Sequence, residues 1–137
     1  MSTPTKPSKM ALVVHADMGV LSTFQTQLVN NGFVVILARD LPTALLAITQ
    51  HFFDVAIISS RLAEGGDGWP LAGVVHLAFP QAFVGVLSPE TSVLTLQAAI
   101  NNGITQLFEA AAPPSDVVNA IVREQSGAGV KEKRSVH

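Results

Sequence analysis

The stretch Asp54-Val-Ala-Ile-Ile-Ser-Ser60 (DVAIISS) carries the reading of the fold. Its apolar residues stand in an unbroken row, Val55 to Ile58, and stop at two serines. A glycine-rich segment follows, Arg61 to Gly68 (RLAEGGDG), which reads as a loop. A strand with one face in water alternates apolar and polar residues. A strand covered on both faces reads as a continuous apolar run, which is the rule in parallel sheets flanked by helices. Similar runs lie on either side of it: Met10 to Val14 (MALVV), Phe33 to Ala38 (FVVILA), Ala82 to Leu87 (AFVGVL) and the shorter Thr105 to Phe108 (TQLF).

The segments between these runs have helical spacing. Asp17 is placed to cap a helix with Val20, Leu21, Phe24 and Leu28 on one face, and Asn30-Asn31-Gly32 closes it, Gly32 as a left-handed cap. Asp40 starts a second helix, with Pro42 in its first turn and Ala44, Leu45 and Ile48 on one side. Trp69-Pro70 open a third, ending near Phe79-Pro80. Val93, Leu94, Leu96 and Ile100 mark a fourth, closed by Asn101-Asn102-Gly103. Pro113-Pro114-Ser115 lead into a fifth with Val117, Val118, Ile121 and Val122. Five rounds of strand then helix predict an α/β fold with a doubly wound, five-stranded parallel sheet and five helices. In such folds the site lies beyond the carboxyl ends of the strands. The positions there are His15, Ala16, Asp17, Ser59, Ser60, Ser88, Pro89 and Glu109 through Ala111.

Composition narrows the functions. The chain has 137 residues, 48 % of them apolar and only 13 % charged, against a usual charged share of about a quarter. One domain fits this length, and so apolar a surface favours a protein partner or self-association. From Met10 to Gln125 three basic residues (Arg39, Arg61, Arg123) face nine acidic ones, leaving that segment at −6. Such a body is a poor match for a phosphate backbone. There is no cysteine, hence no disulfide framework or thiolate metal site. No apolar run approaches the ~20 residues of a membrane span, and residues 1–9 lack the apolar core of a signal peptide. Residues 1–9 read as a loose arm, 10–125 as the domain, and 126–137 as a flexible basic tail or linker.

Several landmarks, in order, carry a family resemblance: Leu12-Val-Val14, Asn31-Gly32-Phe33, Ala44-Leu45, Asp54-Val-Ala-Ile-Ile58, and Ala98-Ala-Ile100 followed by Gly103-Ile104. Over residues 10–125 the chain resembles the receiver domain of bacterial two-component response regulators. The resemblance implies the flavodoxin-like strand order 2-1-3-4-5 and a bacterial, cytoplasmic protein. It also implies a site: an acidic pair after the first strand that holds Mg²⁺, a phosphoaccepting aspartate ending the third, a Thr or Ser after the fourth, a Lys after the fifth, and an aromatic switch residue in the fifth. Carried over, the acidic pair falls on His15 and Ala16, with Asp17 the one carboxylate beside them. The phosphoacceptor falls on Ser59, the lysine on Ala110, the proline after it on Ala111 and the aromatic on Leu107. Only Ser88 keeps the family's chemistry. The loop after Ser59 has Leu62-Ala63 in place of Met-Pro and is one residue longer.

A serine forms no acyl phosphate, and without a lysine at position 110 no cation neutralises a transferred phosphoryl group. The expectation is a degenerate receiver, without cofactor, metal or enzymatic activity, that signals independently of phosphorylation. Its partner would be a protein or a second copy. In the family, the fourth helix, fifth strand and fifth helix supply that surface, and here Glu109 is the only charge between Thr91 and Ser115. Leu96, Ile100, Leu107 and parts of the last helix are the candidate face. The basic tail suits a linker to an effector domain, one that could itself bind DNA. A stand-alone adaptor is the alternative.

Rival readings attach to particular residues. Asp54 lies five positions before Ser59, at the opposite end of the same strand, and reads as a capping or turn residue. His15, Ser59 and Asp17 have the residue types of a hydrolytic triad, but no nucleophile elbow surrounds Ser59. His76 has Pro80 four residues on, so it lacks a helical metal-ligand partner. Gly65-Gly66-Asp67-Gly68 lacks the Walker lysine and the dinucleotide glycine spacing and reads as a flexible loop. Trp69 covers a core edge. The emptied acidic pocket leaves a second function open, that of a small-ligand sensor.

Overall fold

The computed structural model of the chain describes residues 9–126. The elements run β1 (Lys9–Val14), α1 (Met18–Asn30), β2 (Phe33–Ala38), α2 (Leu41–Gln50), β3 (Val55–Ser59), a 3₁₀ turn (Ala63–Gly65), α3 (Gly68–Ala78), β4 (Phe83–Ser88), α4 (Val93–Asn101), β5 (Gln106–Glu109) and α5 (Pro114–Ser126). The strands form one parallel sheet in the order β2-β1-β3-β4-β5, as expected. Boundaries move slightly. β3, β4 and β5 each start and end one residue later than the sequence reading placed them, and β1 takes in Lys9, the last residue of the expected arm. The rest of that arm and the tail beyond Ser126 lie outside the described residues.

The unbroken apolar runs are explained by two cores, one on each face of the sheet. Because successive side chains alternate sides, Ala11, Val13, Val55 and Ile57 point into one core with Leu21, Phe24 and Leu28 of α1 and Val117, Val118 and Ile121 of α5. Leu12, Val14, Ala56 and Ile58 point into the other, with Ala44 and Ala47 of α2 and Leu71, Ala72 and Val75 of α3. β3 lies at the centre of the order and all five of its residues are buried.

The helices begin where side chains satisfy their free amides. Asp17 accepts from the Val20 amide (3.1 Å), Asp40 from that of Thr43 (2.9 Å), Asp67 from that of Trp69 (3.0 Å) and Ser92 from that of Thr95 (3.3 Å). At the amino end of the sheet, the Asp54 carboxylate accepts the Met10 amide at 2.8 Å, and the Asp54 amide donates to the Met10 carbonyl at 2.9 Å. Asp54 is a strand-entry turn residue, remote from the carboxyl edge. α4 is the least embedded helix: Ala99 is its only buried residue.

Candidate functional site

The strand order reverses direction between β1 and β3, and a doubly wound sheet opens its crevice at such a point, beyond the carboxyl ends of the strands. Val14, Ser59, Ser88 and Glu109 end β1, β3, β4 and β5, so His15, Ala16, Asp17, Ser59, Ser88 and Ala110 gather at one edge of the sheet. The cross-strand ladder ties them together. The His15 amide donates to the Ala38 carbonyl (3.0 Å), that of Ser60 to Leu87 (2.8 Å) and that of Ala110 to Ser88 (2.8 Å).

The side chains at this edge are already engaged with their own backbone. The Ser59 hydroxyl donates to the Arg61 carbonyl at 2.8 Å and accepts the Arg61 amide at 3.3 Å. The Ser88 oxygen accepts the Glu90 amide at 3.2 Å. His15 Nδ1 accepts the Asp17 amide at 3.0 Å. Burial pushes the His15 imidazole below its ordinary value, and the Asp17 charge opposes this only in part. The Asp17 carboxylate is the N-cap of α1. A cation does reach the edge, from an unexpected place: Arg39, just past β2, donates from Nε (3.1 Å) and Nη2 (3.0 Å) to the Ala16 carbonyl. The sequence signal for it was its rarity, as one of three basic residues between Met10 and Gln125.

Mg²⁺ takes hard oxygen ligands in a near-octahedral shell. An imidazole, an alanine methyl and one carboxylate spent on a helix cap do not fit it, and among the described residues no three His, Asp or Glu side chains cluster. A hydrolytic triad is not assembled either. Ser59 gives its proton to a carbonyl and His15 bonds a backbone amide, so these two are not paired with each other.

The glycine-rich segment after Ser59 is an ordered turn, which corrects its reading as a flexible loop. The Leu62 amide donates to the Gly66 carbonyl (2.8 Å), Gly66 to Ala63 (3.2 Å) and Gly68 to Ser60 (2.9 Å), and Arg61 and Asp67 form an antiparallel bridge. Within it the 3₁₀ turn holds Glu64 and Gly65 both at positive φ, 60° and 76°. Beside the turn lies a cleft of about 330 Å³, lined by Ser60, Arg61, Asp67, Trp69, Ser88 and Glu90 among others. Of the positions singled out in the sequence as degenerate site residues, only Ser88 lines it.

The candidate interaction face divides. Leu96 and Ile100 are exposed, at 51 % and 68 %, and Val93 (80 %) and Leu94 (78 %) extend them along α4. Leu107 is instead half-buried against the core under α3. The last helix turns Val117, Val118 and Ile121 inward. Within the candidate face the exposed apolar surface is therefore α4 itself, while Phe52 and Leu77, at 81 % each, are as exposed elsewhere on the domain.

No family model matches the sequence, and no curated protein matches it. Solved structures do match the fold. A response regulator receiver domain protein (CheY-like) from Methanospirillum hungatei JF-1 superposes with a TM-score of 0.80 at 20 % identity, over 91 % of this chain and 99 % of that one. The fold is the receiver fold. The signal receiver domain of an HD domain-containing protein from Pseudomonas fluorescens Pf-5 shares it at a TM-score of 0.76 and 19 % identity, over 97 % of this chain and 98 % of that one. A Burkholderia pseudomallei response regulator with a phosphorylated aspartic acid, calcium ion and citrate shares it at 0.76 and 21 %, over 90 % of this chain and 72 % of that one. Among the described residues no helix is long and apolar enough to cross a membrane.

Proposed function

We propose that this receiver-fold domain is a signalling module that works without aspartyl phosphorylation and without enzymatic activity, through contact with another protein. The observation that carries the reading is the end of β3. Where a receiver's phosphoacceptor would stand, Ser59 holds a hydroxyl bonded to the Arg61 carbonyl. Across the sheet edge Ala110 offers no charge to a phosphoryl oxygen. Arg39 does not replace it, because its guanidinium is committed to the Ala16 carbonyl.

The contact surface in this reading is α4 with the neighbouring β5 and α5, and its anchors are Val93, Leu94, Leu96 and Ile100. Large apolar side chains on a helix that carries no charge of its own suit the core of a protein interface, and the partner is another protein or a second copy of this chain. A body carrying −6 between Met10 and Gln125 disfavours direct contact with nucleic acid.

Intact-mass analysis after incubation with a small acyl phosphate and Mg²⁺ tests the chemistry, and amide NMR with beryllofluoride and Mg²⁺ tests the geometry. The expected result is no phosphoryl adduct and no saturable shift at Ser59, Ser88 or Leu107. Stoichiometric labelling, or saturable shifts at those three residues, would overturn the reading.

A further inference from the structure

We infer that the cleft between the β3–α3 and β4–α4 loops binds a small zwitterion of the free amino acid class. This goes beyond the reading above and stands or falls separately from it. The cleft's volume, about 330 Å³, lies at the low end for small-molecule sites and suits a metabolite with few heavy atoms better than a peptide.

Three groups at this cleft lack partners among the described residues. Ser60 is only 7 % exposed. Its amide and carbonyl are bonded to Leu87 and Gly68, while its hydroxyl bonds nothing in the protein. Among the described residues no fully enclosed side-chain oxygen is left unbonded, so the Ser60 hydroxyl keeps an open approach, and Ser60 lines the cleft. Arg61 and Glu90 line the same cleft, both are exposed, and among the described residues their charged groups form neither an ion pair nor a hydrogen bond. Asp67 differs, because its Oδ1 is taken by the Trp69 amide.

Opposite charges that border one cleft without pairing select a ligand that carries both. A carboxylate suits the fork of Arg61, and an ammonium group suits Glu90 with the Trp69 ring as a wall. Ser60 adds a hydroxyl that can give or take a hydrogen bond. The Ser88 oxygen already accepts the Glu90 amide, which leaves its proton to donate. A dicarboxylate would set one charge against Glu90 and Asp67, and a diamine would set one against Arg61.

The test is amide NMR titration of the full chain with the free L-amino acids, first pooled and then singly, with succinate and putrescine as the two single-sign probes. At least one amino acid should give saturable shifts at Ser60, Arg61, Trp69, Ser88 and Glu90, and the two single-sign probes none. Arg61→Gln and Glu90→Gln should each weaken binding about tenfold, as loss of one charge-assisted hydrogen bond does, with the urea unfolding midpoint unchanged. The inference is overturned if no amino acid binds, if succinate or putrescine binds as well as any amino acid, or if neither substitution alters affinity.

Discussion

Gly68 and Gly32 are both glycines of necessity, for different reasons. At Gly68 a Cβ would collide with the Ser59 carbonyl oxygen and carbon, which are fixed backbone atoms. Gly68→Ala should therefore cost about 3 kcal/mol or more, the upper end of a forced overpacking. At Gly32 a Cβ would meet nothing within 4 Å, but φ is +87°. Gly32→Ala should cost only the left-handed backbone penalty, about 1–2 kcal/mol. Urea unfolding of the two variants checks the difference, and a Gly68→Ala protein as stable as Gly32→Ala would contradict the close approach. His15 makes a pH prediction. Its folded-state pKa is lowered by burial, so just below the ordinary imidazole value of about 6.5 the unfolded chain binds more protons than the folded one. The stability this group contributes is complete above about pH 6.5 and is lost as the pH falls below it. Between about pH 7 and pH 5 the wild-type protein should lose more stability than His15→Gln, and equal slopes would remove His15 from the account.

Among the elements, the helices are set by side chains that the sequence displays openly. Asp17, Asp40, Asp67 and Ser92 each accept an amide in the first turn of the following helix. Of these, Asp17 and Asp40 were readable as caps, because each precedes a run with helical apolar spacing. Asp67 was hidden among glycines that signalled only a loop. α4 depends most on its cap, since Ala99 is its one buried residue. Ser92→Ala should cost about 1 kcal/mol, and hydrogen exchange should quicken in α4 before it does in the central strands. Uniform quickening across the sheet would mean that α4 opens only with the whole domain. Strand ends were legible only to within a residue. Ser59, Ser88 and Glu109 each extend their strand by one position, because ladder hydrogen bonds to a neighbouring strand do not register in the apolar pattern of a single segment.

Across the whole molecule, the two cores and the α4 surface should respond in opposite ways. Ile57 is fully buried in the central strand, and Ile57→Ala should cost about 2–5 kcal/mol. Leu94 is 78 % exposed, so Leu94→Glu should leave stability within about 0.5 kcal/mol while abolishing any self-association seen by sedimentation. A dimer unaffected by Leu94→Glu would move the contact surface away from α4. The sequence by itself determined the layered α/β architecture, since apolar runs and helical periodicity are local consequences of which faces must leave water. It also determined which residue types stand at the strand ends, Ser59 and Ala110 above all, on which the proposed independence from phosphorylation rests. Only the tertiary structure decided how those residues are used. The two-point hold of Arg39 on the Ala16 carbonyl, the inward turn of Leu107, and the meeting of Ser60, Arg61 and Glu90 around one cleft all join residues distant in sequence or on different loops. No local pattern encodes such meetings, because they arise from the order in which the strands lie side by side.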